Sequence, residues 1–456
     1  MMNTTESTHA GYDPDRLHAV RTREDVMFRL RIPRSLELAA RARRSMPNGV
    51  PMAWMAGLYR HPPIFVVEGS GALFRDVDDH TYLDMNQADL STNCGYGPAP
   101  VVAAGGERLR LGSQFLLPTD DAIVVSELLA ERFEVPFWQY TLSASSANTE
   151  ALRLARVATG RDMIVVFQGA YHGHLDDTLV ELEGTTTVPG LLGISAQVAQ
   201  RARVVPFNRP DALDAALAPG DVAAVITEPA LTNLGVVQPA PDFHTHLRAV
   251  TQQMGTLLIF DETHTQMAAW GGLTRELGLE PDIVTLGKSL GGGVAIGAYG
   301  MSETLAHVME RHLDIDIGPH GLATGGTMYA NALCMAAARA ALQGVLTREG
   351  YQRVKVLGAR LADGIERAAS THGLAWCAHR LGGRSGFCLR PTLPLDAEDA
   401  ALSIDIDFID TRRVFMANRD IWEAIATAGP AASFAHTDRD IDRYLDVLNS
   451  LLDEIT

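Results

Sequence analysis

A chain of 456 residues with 46% apolar and 20% charged residues can bury a large core and more than one lobe. Its 38 basic and 55 acidic residues leave a net charge of −17, which excludes general affinity for nucleic acid or for an anionic membrane surface. Four scattered cysteines, Cys94, Cys334, Cys377 and Cys388, make no CxxC pair and no metal-ligand spacing, so a disulfide framework and a zinc centre are excluded and buried thiols are expected.

The first twenty residues carry Glu6, Asp13 and Asp15 and lack an apolar core segment, so no secretory signal is expected. No apolar run reaches the ~18 residues of a membrane span. A soluble cytoplasmic protein is the expectation. Residues 1 to about 60 read as polar helix ending in the turn-rich "SMPNGVP". Arg21, Arg23, Arg29, Arg31, Arg34, Arg41, Arg43 and Arg44 are interrupted by Glu24, Asp25 and Glu37, the pattern of a solvated helical face or a subunit-packing arm. "IFVVEGSGALFRDVDDHTYLDM" alternates short apolar runs with turns, as hairpin strands do.

From about residue 135 the texture changes. Seven β-rich runs, "WQYTLSA", "MIVVFQG", "RVVPF", "VAAVITE", "TLLIFDE", "DIVTLGK" and "AIGAYGM", alternate with helical segments such as "NTEALRLARVATGR" and "FHTHLRAVTQQMG". That alternation predicts an α/β fold with a mostly parallel sheet covered by helices. After about 330 come two more helices and a mixed lobe closed by the amphipathic "DRDIDRYLDVLNSLLDEI".

Ligands of open α/β sheets gather beyond the carboxyl ends of the strands. Here those ends lead into Ser143 to Ser146, Tyr171 with His172 and His174, Glu228, Asp261 with His264, and Lys288. Lys288 follows a glycine and precedes Ser289, but a phosphate loop needs a further glycine at 282, where Asp282 stands. A nucleotide-binding ATPase is therefore the weaker reading. A flat, electron-accepting cofactor with a phosphate, a ring nitrogen and an aldehyde fits better. The helix start at Ala144, Ser145 and Ser146 offers N–H groups to the phosphate, Asp261 a carboxylate to the ring nitrogen, Tyr171 a stacking face, and Lys288 an amine for a Schiff base. That cofactor is pyridoxal 5′-phosphate. Glu228 reads as the anchor of a strand-end loop rather than as a catalytic group.

With "ANTEALRLARVATGR", "GAYHGH", "EPALTNLGV", "FDE", "TLGKSLGGG" and "GGTMYANAL" in view, the chain resembles the class III aminotransferases of pyridoxal-phosphate fold type I. It looks most like their glutamate-1-semialdehyde aminomutase and β-amino-acid aminotransferase branch. The resemblance implies a large cofactor-binding domain over 86–333. A smaller α+β domain would come from both chain ends, with an N-terminal arm in 1–85 and a C-terminal part in 334–456. It also implies Lys288 as the cofactor lysine, Asp261 at the ring nitrogen, Thr263 beneath the ring, Tyr171 stacked on it and Asn233 at the ring hydroxyl. Ala144 and Ser145 would stand in the phosphate cup, and Thr327 would reach the phosphate of a neighbouring subunit. The last role implies a homodimer with shared active sites.

Two departures bear on substrate. The family's Ser-Gly-Thr-Glu cup reads Ser143, Ala144, Ser145, Ser146 here. The N-terminal segment that supplies a carboxylate-binding arginine in this branch offers Met52, Trp54 and Met55 instead. The expected function is a ping-pong aminotransferase carrying nitrogen from an apolar or aromatic amine, or a β-amino compound, to a keto acid. The alternatives are a 2,1-aminomutase or an epimerase. An arginine from the C-terminal lobe, Arg412 or Arg413, is a candidate to restore the missing clamp.

Overall fold

The computed structural model describes residues 10–313, 321–423 and 429–456; Glu6, weighed above against a leader, lies outside them. The chain separates into two compact units. The larger holds residues 99–351 and a short return segment, 394–398. The smaller gathers residues up to Pro98, 352–393 and 399 onward, and so draws on both ends of the chain.

All seven β-rich runs become strands of one sheet in the larger unit. In chain order they are β1 (Phe137–Thr141), β2 (Met163–Phe167), β3 (Ala202–Val205), β4 (Val222–Thr227), β5 (Leu257–Asp261), β6 (Ile283–Leu286) and β7 (Gly297–Met301). Across the sheet the order is β1-β7-β6-β5-β4-β2-β3. Only β7 runs antiparallel, against β6 on one side and β1 on the other. Every residue of β4 and β6 is buried, as sheets covered on both faces require, and this explains their unbroken apolar runs.

The helix Ala144–Thr159 follows β1 and is started by Ser143, whose hydroxyl accepts the N–H of Ser146. Ala147, Ala151, Leu154 and Ala155 form its buried stripe and pack into one cluster with Ile164, Ile226, Ile259 and Ile283. Small alanines on that stripe let the helix axis come close to the sheet. A hairpin, Val180–Glu183 with Thr186–Pro189, adds a feature that the sequence reading did not single out.

In the smaller unit, strands Val66–Ser70, Leu73–Asp76 and Thr81–Asp84 form the expected antiparallel meander, extended by a parallel pairing with Ile421–Trp422. The helix Asp438–Ile455 buries Ile441, Tyr444, Leu448, Leu452 and Ile455, and Thr437 with Asp440 closes a capping box at its start. Those side chains share a core with Leu17 and Val20 of the helix Pro14–Arg31. The N–H of Asp13 donates to the Ile455 carbonyl at 2.8 Å. The arginine-rich stretch is tied to its own unit, with Arg21 on Asp25, Arg23 on Glu454 at 2.7 Å and Arg34 on Asp79 at 3.2 Å. Buried Arg412 pairs with buried Glu423 at 2.7 Å, and the hydroxyl of Tyr444 donates to the same carboxylate. One cysteine expectation changes: Cys377 and Cys388 are not isolated but directly opposed across the hairpin Cys377–Leu381/Arg384–Cys388. Among the described residues no helix is long and apolar enough to cross a membrane, and none form a metal-binding group.

Candidate active site

Asp261 ends β5 with its carboxylate fully inside the larger unit. Its Oδ2 accepts a hydrogen bond from Asn148 at 2.8 Å and one from His172 Nδ1 at 3.0 Å, while Oδ1 accepts the Thr263 N–H at 3.0 Å. Burial alone would push this carboxyl up. The His172 hydrogen bond and charge, with the Thr263 contact, outweigh it and hold the group below the usual carboxylate range. Its neighbour Glu262 shows the opposite balance. Burial dominates there and raises its pKa, although Thr265 and the Leu273 and Thr274 N–H groups all donate to it.

Asn148 was not singled out from sequence. Its amide also donates to the His172 carbonyl at 2.7 Å, and its oxygen accepts the Thr285 hydroxyl at 2.6 Å. It thereby joins the helix, the Tyr171 loop, β5 and β6. The available signal was a polar residue on the alanine stripe, one turn after Ala144, where only a partnered group is tolerated.

Ala144, Ser145 and Ser146 form the first turn of their helix, with no acidic residue in that turn to compete with an anion. Helix geometry leaves the first N–H groups without intrahelical acceptors. The Ser145 hydroxyl accepts the His174 N–H at 2.9 Å and so ties the Tyr171 loop to the helix start. Gly173, at φ +98°, permits that approach: a Cβ there would stand 2.2 Å from Ser145 Oγ. Gly287 does the same for the lysine loop, since its Cβ would lie 2.8 Å from that of Ala144. Gln266 then donates to the Gly287 carbonyl at 2.9 Å and to that of Thr263 at 3.0 Å.

Lys288 is half-buried and adopts φ +46°, a left-handed conformation that a lysine takes only when its surroundings impose it. Ser289, Leu290 and Gly291 are buried and fix it. Tyr171 is 44% exposed and His172 buried, so the loop turns its aromatic ring outward while anchoring through the imidazole. These contacts bring Ala144, Ser145, Ser146, Tyr171, Asp261, Thr263 and Lys288 together. Asn233 is exposed on the loop after β4, with its neighbour Leu234 against Gly169 of the Tyr171 loop. Thr327 is exposed in the same unit, and its carbonyl accepts from Gln114. Glu228 is buried and accepts the Thr232 hydroxyl, an anchor for the strand-end loop. Met52, Trp54 and Met55 belong to the smaller unit and are exposed. Arg412 is committed to Glu423, and Arg413 to Asp410 and the Leu58 carbonyl.

The cluster fits a planar, phosphate-bearing cofactor. His172 Nε2 is a buried polar atom without a hydrogen-bond partner among the described residues. Asp261 retains acceptor capacity for a ring N–H, and the acid-free helix start matches an anion.

A sequence model for aminotransferase class-III matches residues 55–375. The glutamate-1-semialdehyde 2,1-aminomutase of Persephonella marina is 31% identical over 427 residues, which span 91% of this chain and 98% of that protein. Among solved structures, a glutamate-1-semialdehyde aminomutase from Pseudomonas aeruginosa PAO1 superposes with a TM-score of 0.93 at 34% identity, covering 98% of this chain and 100% of that one. A variant of the same protein was solved in complex with PMP. A β-phenylalanine aminotransferase from Variovorax paradoxus gives a TM-score of 0.83 at 28% identity, covering 96% of this chain and 97% of that one.

Proposed function

The chain belongs to the class-III aminotransferase family, and on that premise we propose that it holds pyridoxal phosphate and exchanges an amino group between adjacent carbons of one substrate, as a 2,1-aminomutase does. The observation that carries this reading is the near full-length likeness to proteins of that name, at 31% identity and a TM-score of 0.93. It reverses the order expected from sequence, where a two-substrate aminotransferase came first.

When bound, the cofactor supplies an aldehyde that captures amines and a ring that draws electrons from the neighbouring carbon. The protein's residues hold and orient that chemistry. Lys288 offers its amine to the aldehyde and carries a proton to and from the substrate carbon. Asp261, kept ionised, attracts a proton to the ring nitrogen, and Asn148 and His172 fix its carboxylate. The helix start at Ala144 to Ser146 receives the phosphate, and Tyr171 covers a ring face. Thr263 would lie beneath the bound ring and Asn233 would meet its hydroxyl. Thr327 would reach the phosphate held by a second copy, which would make the active form a homodimer; its exposure supports that role.

A second reading, an aminotransferase using an apolar amine and a keto acid, is favoured by one observation. Glutamate 1-semialdehyde carries a carboxylate, yet segment 47–55 presents Met52, Trp54 and Met55 and no arginine, while Arg412 and Arg413 are engaged in buried contacts. Incubation with glutamate 1-semialdehyde alone separates the two. An aminomutase converts it to the isomer bearing nitrogen on carbon 1 without any added acceptor. Conversion that requires an amine together with pyruvate or 2-oxoglutarate would overturn the leading reading. Under either reading Lys288→Ala should lower turnover by ~10²–10⁴-fold, the contribution of a lost proton carrier, with the fold retained by circular dichroism.

A further inference from the structure

Cys377 and Cys388 occupy directly opposed positions of an antiparallel hairpin in the smaller unit. Opposed residues in such a pair have Cα atoms about 4.5–5.5 Å apart, within the 4.4–6.8 Å that a disulfide spans. Cys377 is half-buried and reaches solvent, whereas Cys388 is buried. Each thiol is the first influence on the other's ionisation, and as a thiol Cys388 donates to the Thr392 carbonyl at 3.3 Å. From these positions we propose that Cys377 and Cys388 form a peroxide-sensitive dithiol that closes reversibly into an intramolecular disulfide. Nothing in the amino-transfer chemistry uses either residue, so the proposal stands apart from the proposed function.

The electrostatics favour it. Donation by the Cys377 S–H, opposed by burial and helped by the Arg390 backbone N–H, brings Cys388 down to about 7, while the same contact and burial push Cys377 up. The pair therefore loses one proton near neutral pH, and the thiolate so formed is that of Cys388. The Cys388 thiolate takes the proton of the Cys377 S–H as the solvent-facing Cys377 sulfur attacks a peroxide oxygen. The O–O bond breaks, a sulfenic acid forms, and hydroxide leaves to become water. Cys388, losing its proton, then attacks the Cys377 sulfur; the S–O bond breaks, the S–S bond forms and a second water departs. Two thiols and one peroxide give one disulfide and two waters, with two electrons passing from sulfur to oxygen.

The test uses the full-length holoenzyme and hydrogen peroxide. Thiols counted after denaturation should fall from the four in the sequence to two and return to four with dithiothreitol. Trypsin cuts after Arg380 and Arg384, between the two cysteines, so mass spectrometry should find the Cys377 and Cys388 peptides joined and two hydrogens lighter. Cys388→Ser should abolish the linked species and leave Cys377 open to over-oxidation, and Cys377→Ser should also abolish it. Four alkylatable thiols after excess peroxide, or a linkage through Cys94 or Cys334, would overturn the proposal. So would over-oxidised Cys377 beside an unreacted Cys388 in the unmutated protein, a readout that needs no variant to fold.

Discussion

At the scale of single residues, the carboxylate of Asp261 is the group whose ionisation the site controls most closely. Its pKa is depressed in the folded chain, so it contributes stability above its unfolded value, about 3.9, and loses that contribution only as pH falls through the lower folded value. Between pH 5 and 8 it stays charged. Asp261→Asn should therefore cost roughly 10²-fold in kcat by a factor that does not change across that range; a loss that vanishes at one end of the pH profile would contradict it. Asp261 and Lys288 were legible in the sequence because each ends an apolar strand. Asn148 and His172 were less so. Their value comes from Asp261, 113 and 89 positions away, and no local spacing records a contact at that range.

The elements themselves were the most legible part. β4 and β6 needed no alternation to be recognised, because burial on both faces writes itself as an uninterrupted apolar run. The Cys377/Cys388 pairing was hidden for the opposite reason: a two-residue connection fixes the register of a hairpin, and residue spacing acquires meaning only once that register is known. Joints between elements depend on missing side chains as much as on present ones. At Gly287 the end of β6 meets the start of the helix Ala144–Thr159 with no room for a methyl group. Gly287→Ala should shift the lysine loop against the anion-binding turn. We expect about 10-fold weaker pyridoxal-phosphate retention, 1.4 kcal/mol, read by fluorescence titration of the apoenzyme; unchanged affinity would show that the close approach is incidental.

For the whole molecule, two compact units of different construction share one chain. The smaller depends on a charged contact inside its core, where Arg412, Glu423 and Tyr444 satisfy one another. Removing one charge leaves the other buried without compensation. Glu423→Gln should destabilise this unit by about 3–5 kcal/mol, seen as a lower urea midpoint, while Arg412→Met combined with Glu423→Met should cost less. Equal losses in the two variants would mean that the uncompensated charge is not what destabilises the unit. The pairing of Asp13 with Ile455, and of the first long helix with the last, also sets an order of events during synthesis. Residues 99–351 leave the ribosome with nearly all their partners already made, whereas the core around Leu17 and Val20 is completed only when residues 357–455 have followed. A nascent chain halted before Asp438 therefore lacks Ile441, Tyr444, Leu448 and Leu452, and the core of the smaller unit stays unfinished however much of the larger one has been made.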